Sequence, residues 1–356
     1  MAVFCLGIIL VVAFDYHWPM DRPIRDATRR NPHAEVPGAV DLQSRGTDFD
    51  AETAASADGN EVRDSAELLQ QNSLLAKFAR KQTYSPVRAD DLSPERWQLP
   101  GGRVHAVALQ TDDGLTLNGW HFLADGCSAA NRAECDRELS AGRPLALYFP
   151  GNSGHRGDRV AEAGVLTRAG ADVLLFDYRG YGDNMGTPAE DAFAADARAA
   201  WRYATVERRV TPRRIILYGE SIGGAVATRL AGEMCAVRTP PAGLFIRSTS
   251  SNLADAARHR YPFLPKKMLP AERYAAVEYI TRVTCPLVML HGEQDQTIPH
   301  ELGRKVFDAA PEKSGDGIPK QFVDLPHSDH NDVVETDGAL LENAVDEFVK
   351  RLFSRR

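Results

Sequence analysis

No stretch of this sequence is long and apolar enough to cross a bilayer comfortably, a task that takes about 20 residues. The uncharged N-terminal run, Met1 to Phe14, falls short of that and ends at Asp15, ahead of Arg22, Arg25, Arg29 and Arg30. Its length suits a signal-peptide core or an anchor. No basic residue precedes it, however, and no clear small-x-small cleavage site follows. The flanking arginines favour membrane association or export to the extracytoplasmic side over a cytoplasmic location. A basic run is missing too: 42 Lys and Arg stand mixed among 49 Asp and Glu, for a net charge of -7. That excludes the electrostatic footprint of a nucleic-acid partner. No cluster has metal-ligand spacing, so neither a metal nor a cofactor is expected. Internal repeats are absent.

Cysteine is scarce, at five residues. Cys127 and Cys135 lie close together in the polar stretch DGCSAANRAECDRE, where they read equally well as a small disulfide loop or as two free surface thiols. Cys235 and Cys285 sit in apolar contexts and read as packing.

What is present is enough for one large core: 356 residues, 43% of them hydrophobic. The chain divides into an apolar segment at 1–25, a linker at 26–80 and one large domain at 81–356. The linker is rich in Pro, Ala, Asp, Glu and Arg without an apolar period, until a short helix at Ser65 to Lys81. From Val104 onward strand-like and helix-like runs alternate. Val104 to Leu109 and Leu115 to Phe122 flank the turn signal Asp112-Asp113-Gly114 and form a hairpin. Further strands are expected at Leu145 to Phe149, Asp172 to Asp177, Arg214 to Gly219, Gly243 to Ile246, Leu287 to His291 and Phe322 to Leu325. Helices are expected at Arg156 to Ala169, Ala189 to Glu207, Ile222 to Glu233, His300 to Ala309 and Ala339 to Phe353. Strands buried on both faces and joined by helical crossovers make an α/β fold, a parallel doubly wound sheet entered by an antiparallel hairpin.

The chemistry gathers where strands end. The run RRIILYG passes into Gly219-Glu220-Ser221-Ile222-Gly223-Gly224 and then into an Ala-rich helix, which makes a G-x-S-x-G nucleophile elbow in its proper setting. Small residues at Gly219 and Gly223 let the strained turn close and push the Ser221 hydroxyl outward, and Gly224 eases the approach of the helix. Attack by serine on a carbonyl builds charge on oxygen, so preset N–H donors are needed. Ile222, at the start of the helix, is one candidate. The loop Pro150-Gly151-Asn152-Ser153-Gly154 supplies the other, Asn152, with Ser153 as the near alternative. Acid and base should follow in chain order. Asp295 hangs from a loop past the Leu287 to His291 strand, with Glu293 as its rival, and His330 lies in the loop before the last helix, with His327 as its rival. His291, ending a strand, reads as a packed structural residue.

These motifs bring a resemblance into view. From about Gln82 onward the segments TYSPVRADDL, TDDGLTLNGW, PGNSG, DYRGYGDNMGTPAE, YGESIGG, RYPFLPKKMLP, HGEQDQTIP and the late HND are similar to the α/β-hydrolase group of BEM46-like proteins and ABHD13- and ABHD17-type hydrolases. The resemblance implies an α/β-hydrolase fold with a mostly parallel eight-stranded sheet, helices on both faces and a minimal cap. It implies Ser221, Asp295 and His330 as the triad of a serine hydrolase acting on esters or thioesters. Pro150 departs from the pattern, since relatives usually carry histidine there. Asp177, Arg179, Tyr181 and Gly182 are expected to brace the site. Small-molecule or acylated substrates are implied, and Tyr261, Phe263, Leu264, Met268 and Leu269 suit either an acyl group or the packing of a cap. A serine peptidase of the same fold and a non-catalytic binding protein are the alternatives.

Overall fold

Eight strands share one sheet: β1 (Val104–Gln110), β2 (Thr116–Phe122), β3 (Leu145–Phe149), β4 (Asp172–Phe176), β5 (Ile215–Glu220), β6 (Gly243–Arg247), β7 (Leu287–Gly292) and β8 (Gln321–Leu325). This computed structural model describes residues 83–140, 142–260, 262 and 272–353. The apolar segment at 1–25, the linker and the expected helix at Ser65 to Lys81 therefore lie outside the described residues. So do Tyr261, Phe263, Leu264, Met268 and Leu269.

The spatial order is β8-β7-β6-β5-β3-β4-β2-β1. Strands β3 to β8 run parallel, while β2 pairs antiparallel with both β4 and β1. The hairpin register, Val104 opposite Phe122 through Gln110 opposite Thr116, is closed by a turn in which Gly114 adopts φ +84°. A left-handed residue at that position is what glycine supplies without steric cost. The strand expectations hold to within a residue at each end.

The period of two along each strand assigns the two faces of the core. In β5, Ile215 and Leu217 join one apolar cluster, while Ile216 and Tyr218 join the other. Helices cover both faces: α3 (Glu190–Arg202), α4 (Ile222–Ala236), α6 (Ala276–Tyr279) and α7 (His300–Ala309) on the first, α2 (Val160–Arg168) and α9 (Gly338–Phe353) on the second. Phe348 of α9 is buried against Phe245 of β6 and fits over Gly243, where any Cβ would collide with its ring. The remaining α-helices among the described residues are α1 (Arg132–Ser140), α5 (Leu253–Arg260) and α8 (Val333–Thr336).

Three expectations need correction in detail. The helix expected from Arg156 starts as a 3-10 turn, Arg156–Arg159, and becomes α-helical only at Val160. That turn is capped by His155 and Asp158, and its Arg156 guanidinium turns inward to Asp177 and Asp183. The helix expected to run from Ala189 to Glu207 widens into a π turn at Tyr203–Glu207. The polar insertion holds helix α1, and Cys127 and Cys135 are free thiols packed with Leu123 and Ala129, so the disulfide alternative is not realised.

The order of the strands also selects a place for chemistry. From β3 the chain moves outward to β4 and then returns to the other side of β3 as β5. The carboxyl ends of β3 and β5 thus flank a topological switch point, where open α/β sheets bind their ligands.

Candidate active site

Strand β5 delivers Ser221 at this edge. Ser221 has φ 53° and ψ -123°, a left-handed backbone that serine adopts only under constraint, and α4 starts at the next residue. The glycines explain how so sharp a turn closes. A Cβ on Gly219 would lie 2.4 Å from the Gly223 carbonyl oxygen, and one on Gly223 would lie 2.1 Å from the Phe149 carbonyl oxygen. A Cβ on Gly224 would lie 2.8 Å from the side chains of Ile246 and Thr249. The turn is held from the end of β6, where the Arg247 carbonyl accepts from Ser221 N–H at 2.9 Å, and from the residues after it, where the Thr249 hydroxyl donates to the Ser221 carbonyl at 2.8 Å.

Two loops from neighbouring strand ends meet the serine. His330 Nε2 lies 3.0 Å from Ser221 Oγ, and His330 Nδ1 lies 2.7 Å from Asp295 Oδ2. With its proton on Nδ1 the imidazole satisfies both contacts, donating to the carboxylate and accepting from the hydroxyl. Asp295 is itself fixed: its Oδ1 accepts from Thr297 N–H at 2.9 Å and Ile298 N–H at 2.7 Å. Burial works to raise its pKa, but hydrogen bonds from His291 and His330 outweigh that and hold the carboxyl well below the usual range. His291 is buried as expected and also touches the acid: Nε2–H donates to the Ile298 carbonyl at 2.8 Å and stands 3.4 Å from Asp295 Oδ2. The rivals lie elsewhere. Glu293 is exposed, and His327 pairs with Asp337 at 3.0 Å with its side chain 73% exposed.

Opposite the histidine runs the loop after β3. Gly151 packs against Ser221, since a Cβ there would be 3.5 Å from the serine Cβ. Asn152 is fastened from outside, its carbonyl accepting from Ser85 N–H at 3.0 Å and from the Tyr181 hydroxyl at 2.8 Å, while its side-chain amide donates to the Thr83 carbonyl at 2.6 Å. Among the described residues the Asn152 N–H has no hydrogen-bond acceptor. Ile222 N–H, at the first position of α4, has no intrahelical acceptor either, and the helix dipole favours an anion beside it. Among the described residues neither of the two N–H groups that the sequence offers as donors has a hydrogen-bond acceptor.

Of the DYRGYG residues expected to brace this region, Asp177, Tyr181 and Gly182 lie against it and Arg179 does not. Besides the Tyr181 bond, Asp177 accepts from Arg156 N–H at 2.6 Å, and Gly182, at φ +55°, leaves room for the Asp177 carboxylate. Arg179 points away, to Asp196 and Asp113. Sequence reasoning misses a second set, Arg159, Glu162, Glu220 and Arg247, which join beneath the site. A signal existed: Glu220 and Arg247 are charges closing fully buried strands, and a charge in such a place has to be paired. Among the described residues no group of three or more His, Cys, Asp or Glu side chains is placed to hold a metal ion.

The relatives agree with this architecture. A family model described as the alpha/beta hydrolase fold matches residues 147–241. An uncharacterised Mycobacterium tuberculosis protein is 37% identical over 251 residues, which cover 70% of this chain and 80% of that one. The lysophosphatidylserine lipase ABHD12 of Danio rerio is 33% identical over 245 residues, covering 63% of this chain and 64% of the lipase, so the chain spans less than two thirds of that relative. Among solved structures, a Pyrococcus furiosus esterase superposes with a TM-score of 0.55 at 19% identity over 76% of this chain and 98% of its own. From the doubly wound sheet, the elbow at its switch point and a relative 37% identical over 251 aligned residues, the chain belongs to the α/β-hydrolase fold family.

Proposed function

We propose that this protein is a serine ester hydrolase, with Ser221 as nucleophile, His330 as general base and Asp295 as the acid that orients the imidazole. The observation that carries the reading is the continuous hydrogen-bonded line from Ser221 Oγ through His330 to Asp295 at 3.0 and 2.7 Å. In the reaction His330 Nε2 takes the Ser221 proton as Oγ attacks the ester carbonyl, and the imidazolium is stabilised by the ionised Asp295. The carbonyl oxygen gains the negative charge, and the N–H groups of Asn152 and Ile222 receive it. His330 then gives the proton to the leaving alcohol. Water, deprotonated by the same imidazole, attacks the acyl-enzyme and frees the acid.

The substrate side rests on chemistry and kinship. ABHD12 relatives bear the name lysophosphatidylserine lipase, and a solved structure of the same fold is an esterase. Both support an acyl ester, and a lipid ester in particular, as the bond cleaved here. The BEM46-like motifs and the apolar N-terminal run support the same membrane-proximal substrate class.

The test is labelling with a fluorophosphonate, followed by hydrolysis of p-nitrophenyl esters of rising chain length. Wild type is expected to label and turn over, and Ser221→Ala is expected to do neither. An unlabelled wild type overturns the reading in favour of a binding protein. Cleavage of a p-nitroanilide in preference to the matching ester would move it to the peptidase alternative.

A further inference from the structure

Four charged side chains, Arg159, Glu162, Glu220 and Arg247, join beside the elbow and bond both the loop after β3 and the histidine loop. Glu220, the last residue of β5 and the one before Ser221, is 4% exposed. Its Oε1 accepts from Gly151 N–H at 2.9 Å and Arg159 Nε–H at 2.5 Å, and its Oε2 accepts from the Tyr148 hydroxyl at 2.8 Å and Arg247 at 2.7 Å. Arg247, 7% exposed at the end of β6, spends its remaining donors on Glu162, at 2.8 and 3.0 Å, and on the His330 carbonyl at 3.0 Å. Arg159 continues from Glu220 to the Ser153 carbonyl at 2.8 Å. Two carboxylates and two guanidiniums balance in charge, and the tyrosine hydroxyls of Tyr148 and Tyr218 fill the remaining acceptor places.

A purely apolar support would be a simpler way to fill the same volume, because burying an ion pair seldom adds stability over a well-packed core. What the charges supply is direction. The carbonyl of His330 and the N–H of Gly151 sit on different loops, and the guanidinium and carboxylate fix both relative to the residue that precedes the nucleophile. The backbone carbonyl of Arg247 also accepts from Ser221 N–H. We propose that Arg247 and Glu220 are positioning residues of the serine hydrolase site, setting the histidine loop and the oxyanion loop in register with the elbow. This rests on the reading of the site given above. Their effect falls on the transition state, where the imidazole and the N–H donors must be in place together, and a displacement near 1 Å costs about 10²-fold in rate.

The experiment compares Arg247→Lys, Arg247→Met and Glu220→Gln with Arg208→Met. Arg208 is an equally buried arginine paired with Asp136 and His121 at the opposite, amino end of the parallel strands. Each variant is assayed below its own melting temperature for kcat and KM on p-nitrophenyl butyrate and for the rate of fluorophosphonate labelling. Lysine keeps the charge but cannot reach two carboxylates and the His330 carbonyl at once. Glutamine keeps the shape but turns an NH2 toward donors. Both are expected to lower kcat and the labelling rate in parallel by about 10- to 100-fold with KM within about threefold. Arg208→Met is expected to lower the melting temperature while keeping kcat. If Arg247→Lys and Glu220→Gln melt lower yet label at the wild-type rate, the cluster is structural only and the proposal is overturned. If Arg247→Met does not fold, those two substitutions decide. Wild type that does not label removes the hydrolase reading itself, a separate result that takes this proposal with it.

Discussion

Replacing Asp295 with asparagine tests the site most sharply, because the structure dictates which way the new amide must face. Oδ1 of Asp295 accepts two backbone N–H groups, from Thr297 and Ile298. An asparagine keeps both bonds only with its carbonyl oxygen in that place, since the reverse orientation sets an NH2 against two donors. The NH2 then points at His330 Nδ1, which in wild type donates to Oδ2 at 2.7 Å. His330 Nδ1 must become an acceptor, so its proton moves to Nε2 and the nitrogen facing Ser221 can no longer take the hydroxyl proton. A wrong tautomer of this kind costs about 10⁴ in kcat, which corresponds to about 5 kcal/mol of barrier. The loop should stay folded. The assay is kcat on p-nitrophenyl butyrate, with fluorophosphonate labelling as a second reading of the same step. Retention of more than a tenth of wild-type kcat by a folded Asp295→Asn protein would refute the reasoning. The pH dependence adds a check on stability. The folded carboxyl lies below its unfolded value, so its contribution is fully present above about pH 5 and is lost as pH falls below about 4. The gap in melting temperature between wild type and Asp295→Asn should therefore close on acidification.

Gly223→Ala forces a Cβ to within 2.1 Å of the Phe149 carbonyl oxygen, so the elbow and the loop after β3 must separate; thermal melting should fall by several degrees, and ester turnover should be lost even in the folded fraction. Tyr181→Phe deletes the hydroxyl that donates to the Asn152 carbonyl at 2.8 Å, and steady-state kinetics should show a several-fold fall in kcat with KM little changed. Phe348→Ala empties a site 1% exposed between Phe245 and Gly243, and urea unfolding should register a loss of about 3–5 kcal/mol with kcat unaffected at 25 °C.

Local sequence carries much of the fold. The runs LALYF and LVML are apolar throughout because both faces of their strands are covered, so they read as central parallel strands from composition alone. The elbow is legible for a steric reason, as Gly219 and Gly223 occupy places where no side chain fits, and a turn that demands glycine marks itself in the chain. Loops that follow strands narrowed the acid to Asp295 or Glu293 and the base to His330 or His327, the family resemblance favoured Asp295 and His330, and in the structure those two are the ones hydrogen-bonded in line with Ser221.

Distance in the chain hides the rest. The bonds from Arg247 to His330 and from Glu220 to Gly151 join residues 83 and 69 positions apart, and no periodicity announces such a pairing. Sequence by itself determined which residues are apolar, where the chain must turn and which serine sits at the sharp strand-to-helix turn, because these are properties of a residue and its neighbours. Only the tertiary structure decided which histidine meets the hydroxyl, which carboxylate meets the histidine, and that a buried cluster of charges ties the loops together. Those depend on the order of strands across the sheet, which brings loops remote in sequence to one edge.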